Sequence, residues 1–163
     1  MKIKMLMKKY IILNTSLIAA FVLLCFFGDP NIMCDQKSIK EKAKKSLDPY
    51  AYDSAMLTRI QYKKKEAIKE TEVDLFIGEK YRLVFNTEAL PKPVKIEIYD
   101  KDLEARKRTL LWSNKDVPFE TKQFTFEIER ARRVFVDYTV PLADSSAASG
   151  CVCCMVGFQI KGK

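Results

Sequence analysis

Apolar and polar residues alternate along most of the chain beyond residue 53. In the segment KYRLVFN, for example, Tyr81, Leu83 and Phe85 fall on one face. A period of two is typical of a strand with one buried face, because successive side chains point to opposite sides of a sheet. Turn-forming residues separate the alternating segments. The pattern predicts eight strands, at residues 54–62, 67–77, 80–86, 94–100, 108–114, 122–129, 133–141 and 149–158.

The spacing of these segments, roughly one strand per 10–13 residues, indicates the fold class. It predicts an all-β domain over residues 54–163, an antiparallel sandwich of about eight strands of the jelly-roll or C2-like kind. The segment 54–62 also fits a helix by the spacing of its apolar residues. We interpret it as a strand, since Met56, Thr58 and Ile60 alternate with other residues and threonine favours sheets.

A short segment, residues 35–53, precedes the strands. Ile39, Ala43 and Leu47 lie four residues apart, which predicts a helix over 36–47 with a narrow apolar stripe. We expect this helix to pack weakly. It ends before the sequence DPYAYD, because a residue that precedes proline is pushed out of the helical region.

The first 34 residues carry the marks of an export signal. Lysines precede the apolar stretch YIILNTSLIAAFVLLCFFG at 10–28, as in a secretory signal peptide. The stretch could also span a membrane, and no A-x-A cleavage site follows it, so an uncleaved anchor at residues 10–28 is the alternative. A lipid anchor on Cys25 or Cys34 lacks the small residue that bacterial lipoprotein signals place before the cysteine. We expect export to the periplasm or outer cell envelope, with a mature chain that begins at about residue 26–36.

The formal charge of +8 is unevenly distributed. Residues 1–34 hold four basic groups and one acidic group, residues 35–70 hold ten and six, and residues 71–163 hold fifteen and fourteen. The folded body is therefore nearly neutral, which argues against nucleic-acid binding. The basic runs EKAKK and KKK are interpreted as solvated, and contact with anionic lipid headgroups is the functional alternative.

The closing segment SGCVCCMVGF is apolar on both of its faces. On a strand, Val152, Cys154 and Val156 would share one face, while Cys151, Cys153 and Met155 would share the other. A strand of this kind belongs in the middle of a sheet, with its outer face covered by the N-terminal helix or a long loop. The cysteines are then core residues, because a free cysteine behaves as a small hydrophobic side chain.

These sulfur atoms could also bind a soft metal ion or form a disulfide. Cys151, Cys153 and Met155 are soft ligands of the kind that bind Cu(I), but residues two apart on a strand lie about 6.5 Å apart and would have to lean together to reach one ion. A disulfide within the strand is also awkward. If the leader is cleaved before Cys34, that residue could form a disulfide with the strand. If it is cleaved after Cys34, three cysteines remain and one of them has no disulfide partner.

The order of motifs resembles a family of small exported proteins that are common in Bacteroidetes-type bacteria and functionally uncharacterised. The segments LFIGEKYRLVFN, VKIEIYD, LLWSN, FTFEIE, RRVFVDYTVP and SGCVCCMVGF carry the resemblance over residues 52–161. It implies export and a sandwich fold, and it supplies no activity. It also implies that Cys151 is a family feature, whereas positions 153 and 154 carry aliphatic residues in other members. The family marks, which we expect to be structural, fall on Gly78, Tyr81, Arg82, Gly150, Cys151, Val152, Gly157 and Phe158.

The chain contains no histidine, which excludes Ser-His-Asp and Cys-His catalysis and imidazole metal sites. A pair of carboxylates could catalyse glycoside hydrolysis without histidine, but those in YDKDLE are interpreted as solvated turn residues. The same turn is similar to a calcium loop of C2-type sandwiches, with Asp100, Asp102 and Asp144 as possible ligands. Sugar binding on surface aromatic residues is a further option, and it rests on Trp112, Tyr99 and Phe135.

The sequence favours a non-catalytic exported cell-envelope protein that needs no cofactor. We expect it to be a binding or structural module for a protein or another envelope component. It could also associate with the membrane through its N-terminal segment. The alternative is a C2-like module that binds lipid through calcium or through its basic segments.

Overall fold

The computed structural model describes residues 34–76, 79–129, 133–143 and 148–159. The leader before Cys34, Gly78 and Asp144 lie outside these ranges. No helix in the described ranges is long and apolar enough to cross a membrane. These ranges contain one helix, α1 (Gln36–Lys45), and the strands β1 (Ala51–Gln61), β2 (Ala67–Asp74), β3 (Lys80–Asn86), β4 (Lys95–Tyr99), β5 (Leu110–Ser113), β6 (Gln123–Glu129), β7 (Arg133–Val140) and β8 (Ser149–Gln159).

The strands form two antiparallel sheets of four strands each. Sheet A has the order β1-β8-β3-β6, and sheet B has the order β2-β7-β4-β5. The inner faces of both sheets meet in one core, where Phe85, Ile98 and Val136 are fully buried. The predicted eight-stranded antiparallel sandwich is confirmed, and the ambiguous segment around Met56 is a strand.

The two ends of the sandwich carry different connections. β1 and β3 finish where β8 and β6 begin, as the pairs Gln61–Ser149 and Asn86–Gln123 show. In sheet B the pair Lys95–Thr139 lies at this same end, next to the connection from β3 to β4. We call this end the disulfide end, because Cys34 and Cys151 are joined there by a disulfide with a Cα–Cα distance of 5.7 Å.

Helix α1 packs on the outer face of sheet A and builds a second core there. The Asp35 carboxylate caps its start by accepting from the backbone N–H of Lys37, at 3.1 Å. Ile39 and Ala43 are buried against Val84, Cys153 and Met155. The expectation of weak packing is wrong, because the whole predicted stripe is buried: Ile39, Ala43 and Leu47 are 5%, 0% and 2% exposed.

Strand β8 lies between β1 and β3, covered on both sides, as its two apolar faces predict. Cys154 and Val156 belong to the core between the sheets, whereas Cys153 and Met155 lie under α1. Both thiols are free and buried. Their burial confirms the prediction that they are core residues, and it raises the pKa of both thiols above the usual value. Cys151 is also buried, but as half of a disulfide, so the prediction of a free cysteine is wrong there.

Two of the family marks are glycines at close approaches of the backbone. A Cβ atom added to Gly157 would lie 2.7 Å from Cδ2 of Leu47 and 3.0 Å from the carbonyl oxygen of Ala51. One added to Gly150 would collide with the carbonyl oxygen of Ala89. Both positions therefore need a residue without a side chain, which gives these glycines a structural role.

Candidate functional site

A cleft of about 240 Å³ opens at the disulfide end of the sandwich. It lies between the start of β4 and the connection from β5 to β6, residues 114–122. We call it the lysine cleft, because Lys95 and Lys115 are its charged lining residues. Its apolar lining comes from Pro93, Val94, Val117, Pro118, Phe119 and Phe124.

Hydrogen bonds from Asn114 hold the wall of the lysine cleft in place. Its side-chain oxygen accepts from the backbone N–H of Ile96, at 2.7 Å, and its side-chain nitrogen donates to the carbonyl of Val94, at 3.0 Å. At the far end of the connection, the backbone N–H of Thr87 donates to the carbonyl of Lys122, at 2.8 Å. The connection is therefore tied to β4 at its start and to the end of β3 at its finish.

A chain of aromatic rings connects the lysine cleft with the core. Phe124 lines the cleft, and its ring centroid lies 5.2 Å from that of Trp112 and 5.7 Å from that of Phe85. Phe119 remains 36% exposed at the rim of the cleft. The Lys122 ammonium lies 3.0 Å from the centroid of the Phe119 ring, which places a cation against its face.

Of the two lysines that line the lysine cleft, only one is compensated by a carboxylate. Lys95 forms an ion pair with Glu97, at 3.0 Å, and the hydrogen bond to that carboxylate raises the pKa of Lys95. Lys115 has no carboxylate partner within the described part of the chain. Since no carboxylate lines the cleft, the charge of Lys115 is available to a ligand.

The outer face of sheet B carries an ion cluster of one arginine and two carboxylates. Asp137 on β7 and Glu70 on β2 lie side by side in the register. The Arg108 guanidinium donates to both oxygens of Asp137, at 2.8 and 3.2 Å, and to Glu70, at 3.1 Å. It also stacks on the Tyr99 ring, 3.9 Å from the centroid. The cation between these carboxylates is therefore a side chain of the protein itself.

Burial and the neighbouring Asp137 raise the pKa of the Glu70 carboxyl. Asp100 and Asp102, two of the proposed calcium ligands, accept hydrogen bonds from backbone N–H groups of their own turn. Asp100 accepts from the backbone N–H of Thr109, at 2.6 Å, and this hydrogen bond lowers the pKa of Asp100. Asp102 accepts from the N–H of Glu104, at 3.1 Å.

Asp144 is outside the described ranges, and the described residues contain no group of three histidine, cysteine, aspartate or glutamate side chains that could hold a metal ion. The structure therefore brings no set of calcium ligands together.

The soft-metal hypothesis is wrong for Cys151. Its sulfur is bonded to that of Cys34, and a disulfide sulfur is not the thiolate that such a site requires. Cys153 and Met155 are buried beneath α1, among its apolar side chains. Of the alternatives left open by the sequence, the structure contains the disulfide between Cys34 and the closing strand.

The aromatic residues considered for sugar binding do not form a platform. Tyr99 is covered by the guanidinium of Arg108, and Phe135 is buried. Trp112 lies nearly parallel to Phe85, with centroids 5.9 Å apart, at the rim of the core. Phe119 and Lys115 were not among the candidate residues predicted from the sequence, although the run VPF that ends at Phe119 is a signal of apolar lining.

Tyr81 and Phe158, two more residues of the predicted family resemblance, have structural roles. The Tyr81 hydroxyl is buried and accepts from the backbone N–H of Phe76, at 3.0 Å, which fixes the start of the turn before β3. Phe158 is half-buried and packs against the core between the sheets. Gly78 is outside the described ranges.

Comparisons with known proteins leave the chain without an assigned family. No family model matches it, and no curated protein matches it. Among solved structures, it is similar to a periplasmic inhibitor of g-type lysozyme from Aeromonas hydrophila, at 8% sequence identity. That match covers 67% of this chain and 88% of the other, with a TM-score of 0.42. The family resemblance of the sequence stays a prediction.

Proposed function

We propose that this protein is a non-catalytic, exported cell-envelope protein that binds a partner in the lysine cleft. The observation that carries the proposal is that the cleft is held open by internal hydrogen bonds of Asn114 and Thr87, while Lys115 and Phe119 remain available. An apolar pocket with few free polar groups is the usual form of a binding site.

The state of the potentially reactive side chains among the described residues supports a non-catalytic role. The chain has no histidine to act as a base near neutral pH. Glu70 and Asp137 are held by Arg108, and the raised pKa values and burial of Cys153 and Cys154 oppose attack by their thiols. No carboxylate lines the lysine cleft, so acid–base chemistry of the glycosidase kind has no residues there.

The disulfide between Cys34 and Cys151 supports export, because such bonds form and persist in oxidising compartments outside the cytosol. The apolar stretch at residues 10–28 lies directly upstream of this bond and matches a signal peptide. A cleaved mature chain that contains the bond has to begin at or before Cys34. The bond thus narrows the expected start to about residue 26–34.

The proposal is tested by photo-cross-linking in the native envelope, with p-benzoylphenylalanine in place of Phe119. The matched control carries the same group in place of Tyr52, an exposed ring at the opposite end of the sandwich. We expect an adduct of defined mass from position 119 that position 52 does not give. The proposal is wrong if position 119 gives no adduct, or if both positions give the same set. A lipid adduct at 119 would favour the lipid-binding alternative.

A further inference from the structure

The polar groups of the lysine cleft argue against a neutral sugar as its ligand. The Asn114 side-chain oxygen already accepts from the N–H of Ile96, and its nitrogen already donates to the carbonyl of Val94. The Thr87 hydroxyl donates to the carbonyl of Lys122, at 3.2 Å. A polyol needs several free donors and acceptors at its site, because each buried hydroxyl without a partner weakens binding. Beside the single hydroxyl of Thr121, the lining offers the ammonium of Lys115 and apolar surface.

The charge of the cleft fits a monoanion. Of its two lining lysines, Lys95 is already neutralised by Glu97, whereas Lys115 lacks a carboxylate partner within the described ranges. A phosphate monoester carries about 1.5 to 2 negative charges at neutral pH, and a carboxylate carries one. Phosphate sites also use arginine forks or converging backbone N–H groups, and no arginine lines this cleft. A carboxylate therefore matches the available charge better.

The surroundings of the cleft favour a polypeptide as the source of that carboxylate. Within the described ranges, β5 and β6 are the outermost strands of their sheets on this side, so each has one backbone edge that no other described strand pairs with. The connection that lines the cleft joins the end of β5, at Ser113, to the start of β6, at Gln123. An extended chain can pair with such an edge by adding a strand. If that chain runs toward the disulfide end, its last residue lies at the cleft.

We propose that the lysine cleft binds the C-terminal residue of a partner polypeptide. Its free α-carboxylate would lie at Lys115, and its apolar side chain would lie against Phe119 and Phe124. This inference rests on the proposed function, since it names the ligand of the same cleft. It makes Lys115 the residue that selects a free C-terminus.

Trp112 offers a way to measure this binding without a label. It is the only tryptophan in the chain, and its ring centroid lies 5.2 Å from that of Phe124, which lines the cleft. Its fluorescence is titrated with an N-acetylated tetrapeptide of three alanines and a final leucine, as the free acid and as the C-terminal amide. We expect a Kd of about 0.1–1 mM for the acid, since the site is small, and binding of the amide that is about fivefold weaker.

The variant Lys115→Met should reduce the affinity of the free acid to that of the amide and leave the amide unaffected. Lys101→Met, a change of the same kind at an exposed lysine of the opposite end, should change neither affinity. Thermal unfolding of both variants shows that the fold is retained. Equal affinities of acid and amide, equal effects of the two variants, or no binding by either peptide would each overturn the inference.

Two outcomes separate this inference from the function on which it rests. If position 119 cross-links a specific partner while acid and amide bind equally, the cleft binds that partner and the C-terminal carboxylate is not what it recognises. If N-acetyl-leucine alone binds as tightly as the tetrapeptide, the carboxylate comes from a free small molecule, which overturns the polypeptide assignment. Absence of a position-specific adduct together with absence of peptide binding would reject both.

Discussion

Arg108 and Asp137 form a two-point ion pair on the outer face of sheet B, and their side chains are only 13% and 4% exposed. Arg108 also contacts Glu70 on the neighbouring strand β2. The guanidinium thus fastens the connection between β4 and β5, residues 100–109, to two strands of the sheet. Glu70 and Asp137 are adjacent carboxylates that repel each other. The Arg108 cation offsets this repulsion and the cost of burying the two charges.

We predict that Arg108→Met destabilises the domain strongly. The change leaves Asp137 as a buried charge without its partner, which typically costs about 3–5 kcal/mol. Arg133→Met is the matched control, since Arg133 pairs with Glu72 and Asp74 while half exposed, and exposed pairs contribute about 0–1 kcal/mol. Urea unfolding of both variants measures the difference. Equal losses would show that the Arg108 cluster behaves like a surface pair.

We predict that the Cys34–Cys151 disulfide carries much of the stability of the domain. It joins residues that are 117 positions apart, and removal of such a native bond typically costs about 2–5 kcal/mol. The double variant Cys34→Ser, Cys151→Ala should therefore unfold at a clearly lower urea concentration than the oxidised protein. Intact mass under non-reducing conditions gives the start of the mature chain and shows whether Cys34 is retained. A mature chain that begins after Cys34 would contradict the bond.

We predict that Cys153 and Cys154 are inert in the native state. Both are fully buried, and burial raises their pKa values, so native protein should react slowly with a thiol reagent and denatured protein quickly. Replacing them together by valine and alanine should keep the fold at a cost of about 0.5–2 kcal/mol, because the volumes change little. Rapid labelling of two thiols in folded protein would mean that β8 is accessible.

The parts of this structure that follow from local pattern could be predicted from the sequence. The alternation through Tyr81, Leu83 and Phe85 places all three on the inner face of sheet A, and the two apolar faces of β8 place it in the middle of the sheet. The apolar stripe of Ile39 and Ala43 does not by itself predict how firmly α1 packs. That depends on the apolar outer face of sheet A, which the stripe contacts.

Contacts between distant segments could not be predicted in the same way. Arg108 and Asp137 are 29 residues apart, and nothing in either local pattern connects them. The lysine cleft is built from the start of β4, the end of β3 and the connection between β5 and β6. Its lining residues become neighbours only once the order of the strands in the sheets is known, so the sequence alone does not single out Lys115 and Phe119.

We predict that Gly157→Ala destabilises the domain by about 1–3 kcal/mol, the range for overpacking. The added methyl group would meet Leu47 and the backbone of Ala51, which hold the end of α1 against β1. Ala55→Gly, at a position of β1 on the same outer face of sheet A, is a comparison that removes a methyl group instead of adding one. Urea unfolding gives both losses. If Gly157→Ala leaves the midpoint unchanged, the close approach at Gly157 is not needed.

The last prediction concerns alkaline pH and a single tyrosine. Tyr62 is fully buried, and its hydroxyl donates to the carbonyl of Lys92, at 2.6 Å. Burial raises the pKa of Tyr62 to about 12 from its usual 10. A group whose pKa is raised by folding gives its full stability below the unfolded value and loses it as the pH rises through the folded value. The stabilising contribution of Tyr62 should therefore fade between pH 10 and pH 12.

Tyr62→Phe isolates this effect, because the variant keeps the ring and lacks the proton. At pH 8 it should be less stable than the unmodified protein by about 0.5–1.5 kcal/mol, the contribution of one hydrogen bond. At pH 11 the unmodified protein has lost about 1.4 kcal/mol through the raised pKa, and the variant has not. At pH 11 the variant should therefore be about as stable as the unmodified protein, or more stable by up to about 0.9 kcal/mol. A deficit of the variant that stays constant from pH 8 to pH 11 would show that Tyr62 ionises in the folded protein as it does in the unfolded chain.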